Sequence, residues 1–304
     1  RPMHTRRTVP VALLGLLVVA AALACAGRAM AQTCAELCTS HGNATGRCVQ
    51  DLDPALLFRS GFEEGVVLDP PVPIGNQYWQ MLRGQDRGFV WPDNWPADFS
   101  NPTNAAFQPL ITSTRSNPED FVRVAVDSMT GPFGLTTRTL LMEVTQDDPD
   151  FASFSRVNYR IMWNGGNRGF LRYWLYQQPN LDDVMEAGAS GTGWRNIFEW
   201  KEQGPNESAY RVSLYISDRG GTLTWRLVGQ LATATVYWTE TNDTLPVPRG
   251  RWSLLEVYFV QSPGSDGIVR VWADGALVVE HLGQNATGVP IGPWHPLKLY
   301  GEPD

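Results

Sequence analysis

The residues able to do chemistry fall at alternating positions in short β-type runs. Arg172, Trp174 and Tyr176 recur at every second place in one run, and Arg211, Ser213 and Tyr215 do so in another. Ile197, Glu199 and Lys201 form a third set, and Tyr258, Arg270, Trp272 and His281 come from runs further along. Side chains two apart on a strand share a face. A guanidinium group pairs with a carboxylate in two-pronged fashion, a tyrosine or histidine can carry a proton, and an aromatic ring packs on the apolar side of a pyranose. Together they form the kind of surface that suits sugars. Each type also has a plainer use: tyrosine favours strands in any sheet, and Glu199 with Lys201 can be an ordinary surface pair.

The elements that must carry these groups are strands. Between Trp252 and His281 the chain reads as three strands, and Asp274-Gly275 joins the last two. That pair suits a two-residue type I′ turn, whose central residues both need positive φ. Counting back from it sets Ala273 against Ala276, Trp272 against Leu277, Val271 against Val278 and Arg270 against Val279. One face then carries Arg270, Trp272, Leu277, Val279 and His281, and the drier face Val269, Val271, Ala273, Ala276 and Val278. The preceding strand divides likewise, with Leu255, Val257 and Phe259 on one side and Trp252, Glu256 and Tyr258 on the other. Such a sheet buries one face and offers the other.

From residue 117 onward about a dozen such runs follow one another, separated by turn residues, with one possible helical turn over 180–187. This pattern predicts an all-β fold, a two-sheet antiparallel β-sandwich of the jelly-roll type. Residues 66–109, rich in Pro, Asn, Asp and Trp, predict few regular strands.

The ends read differently. Residues 1–31 have a basic head, an apolar run and Ala29-Met30-Ala31 before Gln32, the pattern of a secretory signal. Cys25 as a lipidation site is the lesser reading. Removal of this segment takes away four arginines and no acids, leaving 20 basic and 31 acidic residues, a charge near −11. An excess of acid argues against a nucleic-acid partner. The apolar run is too short for a membrane span. Residues 32–65 form a leader with Cys34, Cys38 and Cys48, which suggests one local disulfide in an exported chain ahead of a metal site completed by His41. Residues 66–304 are the sandwich domain. No cofactor is implied: Asp147, Asp148 and Asp150 cluster, but Asp-Asp-Pro-Asp reads as a solvated turn ahead of a structural calcium site.

Asn196-Ile-Phe-Glu-Trp-Lys-Glu202, the Trp225 run, Val247-Pro-Arg-Gly-Arg-Trp252 and Gly267-Ile-Val-Arg-Val-Trp-Ala-Asp-Gly275 together resemble the concanavalin-like jelly roll of the heparin-lyase-I-type polysaccharide lyases and their laminin-G-like lectin relatives. The likeness spans roughly residues 120–300. It implies an extracellular polysaccharide partner and, for the lyases, β-elimination on a uronic acid. That reaction needs a group that neutralises the sugar carboxylate and a base that takes the adjacent proton. Carried onto this chain, it points to Arg211, Tyr215, Tyr258 and His281 as catalytic candidates, with Arg172, Trp174, Tyr176, Glu199, Lys201, Arg270 and Trp272 as substrate-binding ones. Lectins share the fold, so a binding module is the competing expectation. A glycoside hydrolase needs two carboxylates on one face. Glu199 and Glu202 lie three apart and fall on opposite faces, so hydrolysis ranks third.

Overall fold

The computed structural model describes residues 62, 65–74, 77–83, 107–114, 122–144, 156–163, 167–186, 194–202, 210–219, 221–231, 235–289 and 291–300. Residues 1–31, the leader cysteines Cys34, Cys38 and Cys48, Trp91, Trp95 and the Asp147 cluster lie outside them. No helix among the described residues is long and apolar enough to cross a membrane.

Among the described residues there are sixteen strands. They are β1 (Val67–Leu68), β2 (Val72–Ile74), β3 (Gln77–Arg83), β4 (Phe107–Thr114), β5 (Val122–Thr130), β6 (Thr136–Val144), β7 (Arg156–Trp163) and β8 (Arg168–Tyr176), then β9 (Trp194–Glu202), β10 (Tyr210–Asp218), β11 (Leu223–Leu231), β12 (Val236–Asn242), β13 (Trp252–Val260), β14 (Ile268–Ala273), β15 (Ala276–Leu282) and β16 (Ile291–Tyr300). Among the described residues one short helix, α1 (Leu181–Glu186), occupies the predicted helical turn, with Asp182 and Asp183 in its first turn where the helix dipole favours them. The described part of 66–109 is more regular than its composition suggests, since β1 to β3 and the start of β4 extend the sheet there.

All strand pairings are antiparallel. The larger sheet runs β1-β3-β4-β7-β16-β9-β10-β11-β12 with β2 beside β3; the smaller runs β15-β14-β13-β8; β5 and β6 form a separate hairpin. The two sheets press their apolar faces together. Leu255, Val257 and Phe259 of β13 and Val269 and Val271 of β14 meet Phe198 and Trp200 of β9 and Val212, Leu214 and Ile216 of β10. The Trp200 and Phe259 rings approach to 4.4 Å between centroids, and the Tyr173 hydroxyl of β8 donates across the interface to the Ile197 carbonyl at 3.1 Å. Each of these large side chains is worth about 1.5–3 kcal/mol when removed from water. This is the antiparallel β-sandwich that the alternation predicts.

Asp274 and Gly275 adopt φ of 51° and 80°, as a type I′ turn requires. Beyond the turn, a β-bulge shifts the register: Trp272 still faces Leu277, but Val271 faces Val279, Arg270 faces Glu280 and Val269 faces His281. A slip of one residue moves a side chain to the opposite face. His281 therefore does not share a face with Arg270 and Trp272, contrary to the sequence expectation. It turns toward β12 instead, where its ring stacks on Trp238 at 3.6 Å and its Nδ1 lies 3.0 Å from the Glu240 carboxylate. That contact closes one edge of the sandwich.

Candidate functional site

Two more bulges assemble a polar cluster on the outer face of the larger sheet. In β9 the register against β10 shifts between Leu214 and Tyr215, so that Ser213 faces Glu199 and Leu214 faces Phe198, but Tyr215 faces Asn196. Ile197 is the extra residue, and it packs into the core. The sequence expectation of Ile197, Glu199 and Lys201 on one side thus holds only for the last two, and Asn196 swings onto their face. In β16 the register against β7 shifts between Trp294 and Leu297. His295 and Lys298, three apart, consequently share a face. Bulges commonly re-aim side chains in this way beside active sites.

What they converge on is Glu199. Its carboxylate lies 2.7 Å from Lys298 Nζ and 3.1 Å from His295 Nδ1. The Ser213 hydroxyl donates at 3.1 Å, the Asn196 amide at 3.4 Å, and Arg211 Nη1 stands 3.9 Å away. Burial alone would raise the Glu199 pKa, but Lys298, His295 and Arg211 together hold it well below the ordinary carboxylate range. Glu199 is 1 % exposed and saturated with donors, so its place is behind the site, where it orders its neighbours, and not against a substrate.

Arg211 occupies the more open side of this cluster. It faces Lys201 on β9 and Gln230 on β11. Both atoms that Arg211 presents to Gln230 are donors, which sets the amide oxygen toward them, and it accepts from Nε at 2.8 Å and Nη2 at 2.5 Å. The Tyr215 hydroxyl lies 3.5 Å from the same amide. The outer face thus carries, across four adjacent strands, Lys298 and His295, then Glu199 and Lys201, then Arg211, Ser213 and Tyr215, then Gln230. Among the described residues no group of three or more His, Cys, Asp or Glu could hold a metal ion.

The remaining predicted site residues lie elsewhere. Arg172, Trp174 and Tyr176 of β8 share the outer face of the smaller sheet with Glu256 and Tyr258 of β13 and Arg270 and Trp272 of β14. The core separates this face from the Glu199 cluster, so the eleven predicted residues do not line one groove. Tyr258 and Trp272 are 3 % and 4 % exposed, about as buried as His295 at 5 % and Tyr215 at 8 % on the other face. Burial raises the Tyr258 pKa against the opposing pull of Arg168 and Arg270. Burial likewise raises that of Glu256, opposed by Arg172 at 3.4 Å. Arg270 is ion-paired with Glu280 across β14 and β15, and Trp174 packs edge-on against Phe133 at the tip of the β5–β6 hairpin. Phe170, Arg172 and Tyr176 remain exposed. Glu202, on the face opposite Glu199, pins a loop by accepting from the Thr287 backbone at 2.7 Å and from Gln261 at 3.1 Å. The two glutamates form no catalytic pair.

Sequence reasoning missed Asn196, Gln230, His295 and Lys298. A signal for one of them was present: the chain has only two lysines, Lys201 and Lys298, and the fold brings both to this face.

These are distant likenesses to known proteins. No family model matches the chain, and no curated protein does. Among solved structures it is similar to an endo-β-1,4-glucuronan lyase from the fungus Trichoderma reesei, at 17 % identity over 60 % of this chain and 79 % of that one with a TM-score of 0.39. It is also similar to alginate lyase Aly36B, at 12 % identity over 48 % and 76 % with a TM-score of 0.35. A galectin of Caenorhabditis elegans aligns at 15 % identity over 48 % and 91 % with a TM-score of 0.23.

Proposed function

We propose that this chain is secreted and that the outer face of its larger sheet binds a polysaccharide bearing uronic acids and cleaves it by β-elimination. The observation that carries this reading is the grouping on one face of Arg211 and Tyr215 of β10, Gln230 of β11 and, beyond β9, His295 of β16, with Arg211 the most open of the four and Tyr215 and His295 at 8 % and 5 % exposure. A uronate carboxylate resists loss of the neighbouring proton because the resulting anion places more charge on it. Arg211 supplies a two-pronged counter-charge for that carboxylate, with Gln230 fixing the guanidinium plane. Tyr215 and His295 are the groups able to move protons. One takes the proton next to the carboxylate; the freed electron pair forms the carbon–carbon double bond; the glycosidic carbon–oxygen bond breaks; and the departing oxygen takes a proton from the other. No water is consumed and no metal is required by this scheme.

The test is to mix the purified protein with alginate, glucuronan, heparin and pectin and to follow the ultraviolet absorbance of the unsaturated product. A rise on one of them is expected, reduced about a hundredfold or more in Arg211→Ala and in Tyr215→Phe. Absence of product on every polyuronate, together with retention on a column of one of them, would replace the lyase with a binding module. Full activity in both variants would clear β10 of a chemical role.

A further inference from the structure

We infer that Glu199 is a positioning residue that fixes the tautomer of His295, holding the hydrogen on Nδ1 and leaving Nε2 as the ring's proton acceptor. The assignment of that acceptor to catalysis rests on the lyase reading above; the tautomer itself does not.

The argument starts from what a carboxylate can do. An ionised one only accepts hydrogen bonds. Glu199 is kept ionised by Lys298 at 2.7 Å and by Arg211 at 3.9 Å. Its remaining capacity is taken by Ser213 and Asn196, both able to donate. His295 Nδ1 at 3.1 Å must therefore be the donor in that contact. In a neutral imidazole the other nitrogen then carries the lone pair. A histidine ordered by a carboxylate behind it is a recurring arrangement for proton transfer. His295 and Lys298, three apart, reach one carboxylate because β16 is bulged between Trp294 and Leu297.

Among the described side chains, four charged groups face or neighbour His295: Lys298 on its own strand, Glu199 and Lys201 on β9, and Arg211 on β10. Of these, Glu199 favours the charged ring and the three cations oppose it. Removal of the carboxylate charge and removal of a cation must therefore move His295 in opposite directions, and the pH–rate profile is the readout that a merely structural role would leave unmoved.

The experiment is long-range proton–nitrogen NMR of the histidine rings in the full chain, titrated with pH and without any sugar, with His295 assigned through His295→Gln. The expected result is an Nδ1–H ring for neutral His295, a proton affinity at least tenfold weaker in Glu199→Gln, and a stronger one in Lys298→Met. His281, whose partner is Glu240, serves as the internal control and is expected to stay unmoved. An Nε2–H ring in the wild type, or an unmoved His295 in Glu199→Gln, overturns the inference. Should Glu199→Gln fail to fold, Lys298→Met decides, and no rise there overturns it. If the ring behaves as expected but no polyuronate yields unsaturated product, the tautomer stands and the lyase reading falls. If product forms and the pH–rate profile of Glu199→Gln keeps the wild-type inflection, the positioning role falls and the lyase reading stands.

Discussion

Lys298→Met removes one charge and little volume from a buried cluster, and its cost follows from the geometry. Lys298 is 4 % exposed and Glu199 1 %, at 2.7 Å. Breaking one side of a buried ion pair costs about 3–5 kcal/mol because the other charge stays in a poor solvent. Arg211 and His295 remain near the orphaned carboxylate, which places the loss at the lower end, about 3 kcal/mol. In a domain of this size each kcal/mol moves the midpoint of melting by about 2–4 °C, so the variant is expected to melt about 6–12 °C below wild type. The pH dependence carries a sign that tests the cause. The Glu199 pKa is lower in the folded chain than in the unfolded one, so its stabilisation is complete above the ordinary carboxylate range and is lost as pH falls through the folded value. Without Lys298 that folded value moves back up. The stability gap between variant and wild type must therefore shrink as the solution is acidified below the ordinary carboxylate range. Urea unfolding at neutral and acidic pH measures both quantities. Equal midpoints at neutral pH, or a gap that does not shrink in acid, would refute the claim that this pair is a stabilising buried charge.

Two further substitutions test the sandwich itself. A Cβ at Gly229 would stand 2.2 Å from the Trp238 ring and 2.3 Å from the Tyr210 hydroxyl, and Trp238 is already held by its stack on His281 and by donation to the Gln284 carbonyl at 3.0 Å. Gly229→Ala is therefore expected to cost about 1–3 kcal/mol in urea unfolding, and an unchanged midpoint would show that the β12 edge is slack. Trp200→Ala empties a fully buried position beside Phe259 and is expected to cost about 3–5 kcal/mol; a loss under about 1 kcal/mol would mean that the two sheets do not depend on that contact.

Strand identity was legible because alternation and turn chemistry are local. The Asp274-Gly275 hairpin, the inward set Leu255, Val257 and Phe259, and the helical turn at 181–186 all follow from residues a few places apart. Face assignment failed wherever a bulge intervened, since a bulge inserts one residue without changing composition. Val278 is buried, and so are its neighbours in the pairing; nothing in the apolar run around it marks the slip that sends His281 to the other side. Ile197 hides the same event in β9. The grouping of Arg172, Trp174 and Tyr176 with Arg211 and Tyr215 went astray for a different reason: periodicity says which residues share a side of their own strand, and it is silent on which sheet that strand joins. Glu202, opposite Glu199 as counted, shows that over an unbulged stretch the rule is dependable.

The place of β16 has a consequence for how the cluster comes into being. This strand follows every other described element in the chain, yet it lies between β7 and β9 in the middle of the larger sheet. Until residues 291–300 pair, β7 and β9 have no bridge and the carboxylate of Glu199 lacks both its ammonium and its imidazole. During synthesis the cluster is thus absent from a half-made molecule, and a product cut short before residue 291 would be left with two open strand edges, a target for aggregation.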